Sequence, residues 1–366
     1  MAVTHAAQKE IRKRRARRIL LLAVKTALSV VVLLGLVAGG LIIRNMYYDV
    51  WDAWKVRRAG FVERQAEING SVVNYAEGPD NGPPLLLIHG QLMSWQSYNR
   101  VLPALAREFH VFAVDVYGHG KSDRAPEKYT ANALAGDMQL FIEQVIGEPA
   151  LVSGHSSGGL IAASLAARFP EWVIAVIFED PPFFTSVLPR ARATWNYIDL
   201  STIAHDFLES GEEDFQLYYI RNTPFWNFFL EAKEELRAQA IRYRQAHPDR
   251  PLRLFFMPSV FNEMFTSMDQ YDPRFGEAFY NGSFHEGFDH VETLLNIHLP
   301  SALIHANWSY DENEILLAAM DADDAALARS LLREVEYYQV DSGHGIHFEK
   351  PAEFIEIVRE FSRQLF

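Results

Sequence analysis

The pattern of hydrophobic and polar residues changes along the chain. One early stretch is almost wholly apolar, with Lys25 as its single charge. Further on, short apolar runs alternate with stretches of helical length. This alternation stops for more than a hundred aromatic-rich residues and then resumes. We interpret the chain as a basic tail at 1–18, a membrane-spanning helix at 19–43, a juxtamembrane linker at 44–60 and a globular body at 61–366, with a cap insertion at about 183–297.

The apolar stretch at 19–43 is long enough to cross a bilayer. A helix of this length reaches about 37 Å, which exceeds the roughly 30 Å of a hydrocarbon core. The basic cluster at 9–18 precedes it, so we expect a cytoplasmic N-terminus and a body outside the cytoplasm. A signal peptide cleaved near the small residues at 36–40 is the alternative. A buried core helix is disfavoured, because no polar face interrupts the stretch.

The body has the pattern of a mostly parallel sheet. Asn69-Gly70 separates two alternating segments and predicts a β-hairpin. Continuous apolar runs are typical of strands that are covered on both faces. They lie at 84–88, 110–115, 150–153, 173–178, 301–306 and 335–340, with predicted helices at 101–108, 134–146, 157–169, 314–333 and 352–365. This order predicts an α/β fold with helices on both faces of the sheet and a helical cap insertion.

Composition narrows the possible functions. Apolar residues make up 49% of the 366 residues, which indicates a globular protein with a sizeable core. The net charge is −13, and it is more negative without the basic tail, which argues against a nucleic-acid partner. There is no cysteine, so disulfides, thiolate metal sites and a cysteine nucleophile are excluded. The histidines and carboxylates show no metal-binding spacing, and no nucleotide-binding glycine pattern occurs, so we expect neither metal nor cofactor.

A Gly-x-Ser-x-Gly pattern centred on Ser156 lies between a predicted strand and a predicted helix. A sharp turn from strand to helix exposes the central residue in a strained backbone conformation. Gly154 and Gly158 suit this turn, because a side chain at either position would collide across it. The pattern therefore predicts a nucleophilic serine at the carboxyl end of a strand.

A serine needs a base and an orienting acid before it can attack. His344 follows the last predicted strand between two glycines, and Asp311 follows the strand before it. The carboxyl ends of parallel strands share one edge of a sheet, so Ser156 and these two residues would meet there. We predict Asp311 as the acid, with Glu312 and Asp180 as the alternatives. Asp180 follows the strand at 173–178 and precedes two prolines, which favours a turn residue.

These motifs resemble those of the alpha/beta-hydrolase family. The resemblance rests on His89-Gly90, on the segment 115–123, on the serine turn and on Ser342-Gly343-His344 with the following Glu-Lys-Pro. It implies that Ser156 is the nucleophile and His344 the base. It also implies an oxyanion hole formed by the backbone N–H groups of two residues, Gln91 and Ser157. Asn307 and the Asp311-Glu312 pair depart from the family pattern around the acid. Candidate substrate-binding residues are Trp95, Tyr98 and His155.

The resemblance implies a serine hydrolase that cleaves an ester-type bond of a small substrate through an acyl-enzyme. The predicted anchor would hold it at a membrane, and the aromatic residues of the insertion favour a lipophilic substrate. Family members that open epoxides or haloalkanes attack with aspartate, so Ser156 argues against those activities. A carbon–carbon bond hydrolase with the same triad is the alternative enzyme. A non-catalytic binding protein on the same fold is the alternative of another class, although the intact Ser156 and His344 argue against it. Substrate identity and oligomeric state are left open.

Overall fold

The computed structural model describes residues 2–365, and the side chains of 2–4 and 6 are not described. The chain divides into two compact units. The first comprises the N-terminal residues to Tyr48 together with Leu254–Ser259, and the second comprises Asp49–Arg253 and the residues from Val260 onward.

The first unit is dominated by one long helix. This helix, α1, runs over Ala2–Met46. Its segment Ala7–Met46 has a mean hydropathy of 2.5 over its most apolar window, and none of that window is buried in the protein. The Asn45 side chain donates a hydrogen bond to the Met257 carbonyl within the same unit. The apolar surface of α1 is therefore long enough to cross a membrane and is not covered by a protein core.

The second unit is built on an eight-stranded sheet with the strand order β1-β2-β4-β3-β5-β6-β7-β8. β1 pairs antiparallel with β2, β2 pairs antiparallel with β4, and the remaining neighbours are parallel. The strands are β1 (Val62–Ile68), β2 (Ser71–Glu77), β3 (Pro84–Ile88), β4 (His110–Val114), β5 (Ala150–His155), β6 (Val173–Glu179), β7 (Ser301–His305) and β8 (Val335–Gln339). The predicted α/β class and the mostly parallel sheet are confirmed.

The predicted hairpin lies at the antiparallel edge of the sheet. Ile68 pairs with Ser71 across Asn69 and Gly70, and both turn residues have positive φ, 50° and 76°. Left-handed backbone at both central positions fits the right-handed twist of the two strands, and asparagine and glycine adopt it most readily. The Asn-Gly signal therefore identified both the turn and its register.

Helices cover both faces of the sheet. After α1, the helices are α2 (Tyr48–Arg58), α3 (Leu102–Leu105), α4 (Ala131–Phe141), α5 (Ser157–Arg168), α6 (Thr202–Ser210), α7 (Phe215–Asn222), α8 (Lys233–Ala246), α9 (Ser259–Met268), α10 (Pro273–Tyr280), α11 (His290–Leu295), α12 (Ala322–Leu331), α13 (Ile346–Glu349) and α14 (Pro351–Ser362). Leu102 of α3 and Phe354 of α14 share one buried cluster with Val111 of β4. The next residue of that strand, Phe112, contacts Phe141 of α4. Successive residues of the strand thus pack against helices on opposite faces.

The segment between β6 and β7 forms helices, and no strand occurs in its described residues. Helices α6 to α11 belong to it. It packs against loops at the carboxyl ends of the strands: Tyr271 accepts a hydrogen bond from the Gln91 side chain, and Phe275 contacts His119 edge-on. The insertion therefore reaches the edge where parallel strands present functional residues.

Two predicted helices are shorter than expected. The helix predicted over 101–108 is limited to Leu102–Leu105, and the larger difference concerns α12. The sequence pattern predicted a helix over 314–333, whereas α12 begins at Ala322. The Asp321 side chain accepts a hydrogen bond from the Asp324 N–H, and the Asp324 side chain accepts one from Asp321, so a capping box starts the helix there. Upstream, Leu316 exchanges backbone hydrogen bonds with Ala193 and Trp195, which holds that segment in an extended conformation.

Candidate active site

Ser156 lies at the sharp turn between β5 and α5. Its backbone has φ 53° and ψ −123°, a conformation that residues other than glycine rarely adopt. A Cβ on Gly154 would come within 2.3 Å of the Gly158 carbonyl oxygen, and a Cβ on Gly158 would come equally close to that of Ile88. Both positions therefore require glycine, and the turn holds the half-buried Ser156 in a strained conformation at the end of the strand.

His344 is held by Asp180, which follows β6. The His344 Nδ1 lies 2.7 Å from Asp180 Oδ2, and the accessible fraction is 43% for the His344 side chain but 1% for that of Asp180. The Asp180 N–H donates to the Ile304 carbonyl, and Asp180 Oδ1 accepts from the Ala306 N–H at 3.2 Å. Asp180 also has a positive φ of 43°. The carboxylate is thus fixed on the neighbouring strand and directed at the imidazole.

The predicted acid, Asp311, does not reach His344. Asp311 Oδ1 accepts hydrogen bonds from the N–H groups of Asn313 and Ile315, both at 2.9 Å. The bond from Ile315 is the main reason why the pKa of Asp311 is lowered. Asp311 therefore stabilises its own turn. The alternative Glu312 is exposed, and the third candidate, Asp180, occupies the position beside the histidine.

The electrostatic surroundings favour the protonated form of His344. Burial of the ring lowers its pKa, but the hydrogen bond and the charge of Asp180 more than offset this effect, so the pKa is raised above the ordinary value of 6.5. Glu179 and Glu349 add to the increase through their charges. A carboxylate that stabilises the imidazolium in this way is what a general base next to a serine requires.

Backbone donors lie close to Ser156 on two sides. Ser157 is the first residue of α5, so its N–H has no acceptor within the helix. Gly90 packs against the serine, because a Cβ on Gly90 would lie 2.7 Å from the Ser156 Cβ. The next residue is Gln91, whose side chain is tied to Tyr271 at 2.7 Å. The two segments predicted to form an oxyanion hole are therefore both adjacent to Ser156.

The three predicted substrate-binding residues are buried. Tyr98 has no accessible surface and donates to the Ile88 carbonyl, and Trp95 donates from its indole N–H to Glu63. His155 is 2% accessible, and its Nε2 lies 3.0 Å from the His344 carbonyl oxygen. In this conformation the three side chains contact the loops around the site and expose little surface, and their role as substrate contacts stays a prediction.

A second carboxylate–histidine pair was missed. His347 Nδ1 lies 2.8 Å from Glu179 Oε1, and both side chains are almost fully buried. Ligand atoms of His155, Glu179 and His347 lie within 4.8 Å of one another, close enough to surround one metal ion. The Glu179 carboxylate, however, already accepts hydrogen bonds from His347, so its bonding is satisfied within the group. The available signal was that Glu179 adjoins Asp180 while His347 lies one helical turn after His344.

Known proteins with similar sequences or structures are hydrolases for the most part. Residues 83–232 match the family model described as alpha/beta hydrolase fold. The chain is 38% identical over 159 residues to bifunctional epoxide hydrolase 2 of Sus scrofa, which covers 41% of this chain and 28% of that protein. It is 30% identical over 117 residues to serine hydrolase-like protein of Homo sapiens, and this match covers 31% of this chain and 58% of that protein. Its matches thus span less than two thirds of these curated relatives.

A solved structure with the same fold is that of a membrane phospholipase A described as a novel bacterial virulence factor. The two structures superimpose with a TM-score of 0.59 at 21% identity, over 93% of this chain and 98% of the other. At this level of identity the likeness concerns the fold. The matched segment and the eight-stranded sheet with its serine turn together show that the body of this chain has the alpha/beta-hydrolase fold.

Proposed function

We propose that the chain is a serine hydrolase that cleaves an ester-type bond of a small substrate through an acyl-enzyme. In this proposal Ser156 is the nucleophile, His344 the general base and Asp180 the acid that orients and charges the base. The observation that carries it is the 2.7 Å bond between His344 and the buried Asp180, together with the strained turn that holds Ser156. His155 connects the serine turn to the loop of the base, because it directly precedes Ser156 and its Nε2 bonds the His344 backbone carbonyl.

The reaction follows from these roles. Ser156 Oγ attacks the carbonyl carbon while the Nε2 of His344 takes its proton. The backbone N–H groups of Gln91 and Ser157 stabilise the negative charge on the carbonyl oxygen, and one such donor typically contributes about 3 kcal/mol. The imidazolium then protonates the leaving alcohol, and the acyl group stays on Ser156. A water molecule, deprotonated by His344, attacks the acyl carbon and releases the carboxylic acid and the free serine.

Epoxide opening is not the activity that this site supports. A relative that matches part of the chain is named an epoxide hydrolase, but family members that open epoxides attack with aspartate. Here the residue at the turn is Ser156. A serine alkoxide attacking a carbonyl produces an ester that water can cleave, which accounts for the base and the acid around it.

A lipophilic substrate is favoured by the aromatic insertion. Phe183, Phe225 and Trp226 are buried in it, whereas 58% of the Phe228 side chain and 77% of the Leu230 side chain are accessible. An apolar acyl chain would gain about 0.8 kcal/mol for each methylene removed from water. Extending a p-nitrophenyl ester from two to six acyl carbons should therefore raise kcat/KM by up to about two orders of magnitude. Rates that fall steadily beyond the acetate ester would contradict the lipophilic substrate.

The exposed apolar surface of α1 supports a membrane anchor, which we propose is uncleaved. The basic cluster at 9–18 supports an N-terminus in the cytoplasm and a catalytic body outside. A soluble protein would not expose an apolar window of this length. Protease added to spheroplasts of cells that produce the full chain should digest the body and spare cytoplasmic marker proteins. A protected body, or a soluble product that starts near residue 40, would contradict this topology.

Covalent labelling tests the proposed chemistry. A fluorophosphonate probe should phosphonylate Ser156 of the detergent-solubilised full chain, with release of fluoride and transfer of the serine proton to His344. Mass spectrometry of the labelled peptide locates the adduct, and Ser156→Ala is the control that should remain unlabelled. An unlabelled wild-type chain would favour a non-catalytic binding protein. Labelling without turnover of p-nitrophenyl esters would favour a carbon–carbon bond hydrolase.

A further inference from the structure

Two carboxylate–imidazole pairs connect the same two segments of the chain. Asp180 bonds His344, and the preceding residue, Glu179, bonds His347. Glu179 is the last residue of β6 and Asp180 the first beyond it, and both histidines lie in the segment after β8. The first pair is open on its histidine side, where 43% of the side chain is accessible, whereas both members of the second pair are at most 2% accessible. The second pair is thus buried, whereas the first is accessible at His344.

Glu179 is bonded to both catalytic segments. Its Oε1 accepts from the His347 backbone N–H at 2.7 Å and lies 2.8 Å from His347 Nδ1, while Oε2 lies 2.9 Å from the same nitrogen. Its backbone carbonyl accepts the Ser156 N–H at 3.0 Å. One buried residue therefore joins the serine turn to the loop that carries the base, and a displacement of its carboxylate would displace the histidine loop.

Two other buried residues, Tyr98 and His155, limit the movement of the His347 ring and of the His344 backbone. The Tyr98 ring packs on the His347 ring with centroids 4.2 Å apart and planes inclined by 32°. His155 contacts the His347 ring edge-on at 5.0 Å and bonds the His344 backbone through Nε2. Tyr98 and His155, which the sequence predicted as substrate contacts, both contact the ring that Glu179 orients.

We propose that Glu179 and His347 are positioning residues for hydrolysis. The pair fixes the loop of His344 so that its imidazole stays between Asp180 and Ser156, and the buried charge of Glu179 acts on the imidazolium that forms during the reaction. This inference rests on the proposed function of Ser156, His344 and Asp180. The same contacts would also stabilise the fold, so the test must measure something that a purely structural pair would leave unchanged.

The pH dependence of labelling is such a measurement. The charged groups that act on His344 are Asp180, Glu179 and Glu349, and the His155 ring packs against the His344 ring with centroids 4.7 Å apart. Glu179→Gln removes one negative charge while its amide oxygen can still accept from His347. The base should then lose its proton at lower pH, so the acid limb of the labelling rate should move to lower pH.

Whether the Glu179–His347 pair orients the His344 loop is tested with two replacements of His347. In His347→Asn the amide N–H lies near the position of Nδ1 and can bond Glu179, whereas His347→Leu has similar volume and no donor. If the pair positions the base, His347→Leu should lower the plateau labelling rate about tenfold to a hundredfold, and His347→Asn should recover most of the loss. The matched control is Asp137→Asn, which removes another buried carboxylate, paired with Lys128 and remote in sequence.

Every variant is compared as the full chain, with Tm measured beside the labelling rate. The control variant, Asp137→Asn, should show the same acid limb and the same plateau labelling rate as the wild type. An acid limb at the wild-type position in folded Glu179→Gln, or equal plateau rates for the two His347 variants, would overturn the positioning role. If Glu179→Gln fails to fold, the His347 pair decides alone. Failure of wild-type labelling, or equal labelling of Ser156→Ala, would instead overturn the proposed function.

Discussion

The loops after β6 and β7 begin side by side, yet their carboxylates do different things. Asp180 is the first residue beyond β6, and it is buried with a hydrogen bond to His344. Asp311 lies six residues beyond β7, partly accessible, and bonds N–H groups of its own turn. Neighbouring strands end at the same edge of the sheet, but only the first loop turns inward.

The difference comes from the path of the backbone. Asp180 adopts a positive φ directly at the strand end, and hydrogen bonds with Ile304 and Ala306 hold it against β7. The chain after β7 is bonded through Asn307 to Asp341, and the carboxylate of Asp311, four residues farther on, bonds only N–H groups of its own turn among the contacts described. A carboxylate immediately at a strand end is positioned by the sheet itself, whereas one farther along a loop is positioned by that loop. We therefore place the catalytic acid on the first kind of site.

The largest loss of activity should come from replacing Ser156 or His344, which are needed whichever loop contains the acid. Ser156→Ala and His344→Ala should each reduce ester hydrolysis by about 10⁶-fold, and the double variant should lose little more, because triad members act as a unit. Turnover of a p-nitrophenyl ester, with Tm as the check on folding, measures this. Additive losses in the double variant would mean that the two residues act independently, and neither loop would then contain a triad acid.

The pH profile should separate the two carboxylates by a smaller effect. Because Asp180 raises the pKa of His344, the acid limb of kcat/KM in the wild type should lie above pH 6.5, since the base must be deprotonated to act. Asp180→Asn removes the charge, so the limb should move to lower pH. Asp311→Asn should leave it in place. A limb that moves only in the Asp311 variant would reverse the assignment.

The smallest effect concerns the turn after β7. Asp311→Ala removes the acceptor of two backbone N–H groups in a solvent-accessible turn, where water can replace it. Thermal unfolding should show a slightly lower Tm, while kcat/KM stays at the wild-type value. A large loss of activity without a loss of stability would show that Asp311 has a role in the reaction.

Much of the fold was predictable because it depends on local patterns. Continuous apolar runs identified the parallel strands, Asn69-Gly70 identified the hairpin, and the glycines around Ser156 identified the turn. Each of these signals reflects a constraint within a few residues: burial on both faces, left-handed backbone, or a close approach of the main chain. Ser156 and His344 lie at one edge of the sheet for the same reason.

The contacts of the proposed acid and of its neighbours were not predictable in this way. Asp180 precedes two prolines, as a turn residue commonly does, and only the contact with β7 shows that its carboxylate turns inward. The Glu179–His347 pair has no periodic signature, because its partners are far apart in sequence. The helix predicted over 314–333 was wrong in its first part for the same reason, since the pairing of Leu316 with Ala193 is a contact between residues far apart in sequence.

The direct test of the central claim is one comparison of Asp180→Asn with Asp311→Asn in the same ester-hydrolysis assay. Loss of the orienting carboxylate of a triad typically lowers kcat about 10⁴-fold. We predict a loss of about this size for Asp180→Asn and wild-type kcat for Asp311→Asn, with both variants folded by circular dichroism. Wild-type turnover in Asp180→Asn, together with a large loss in Asp311→Asn, would contradict the account and place the acid after β7.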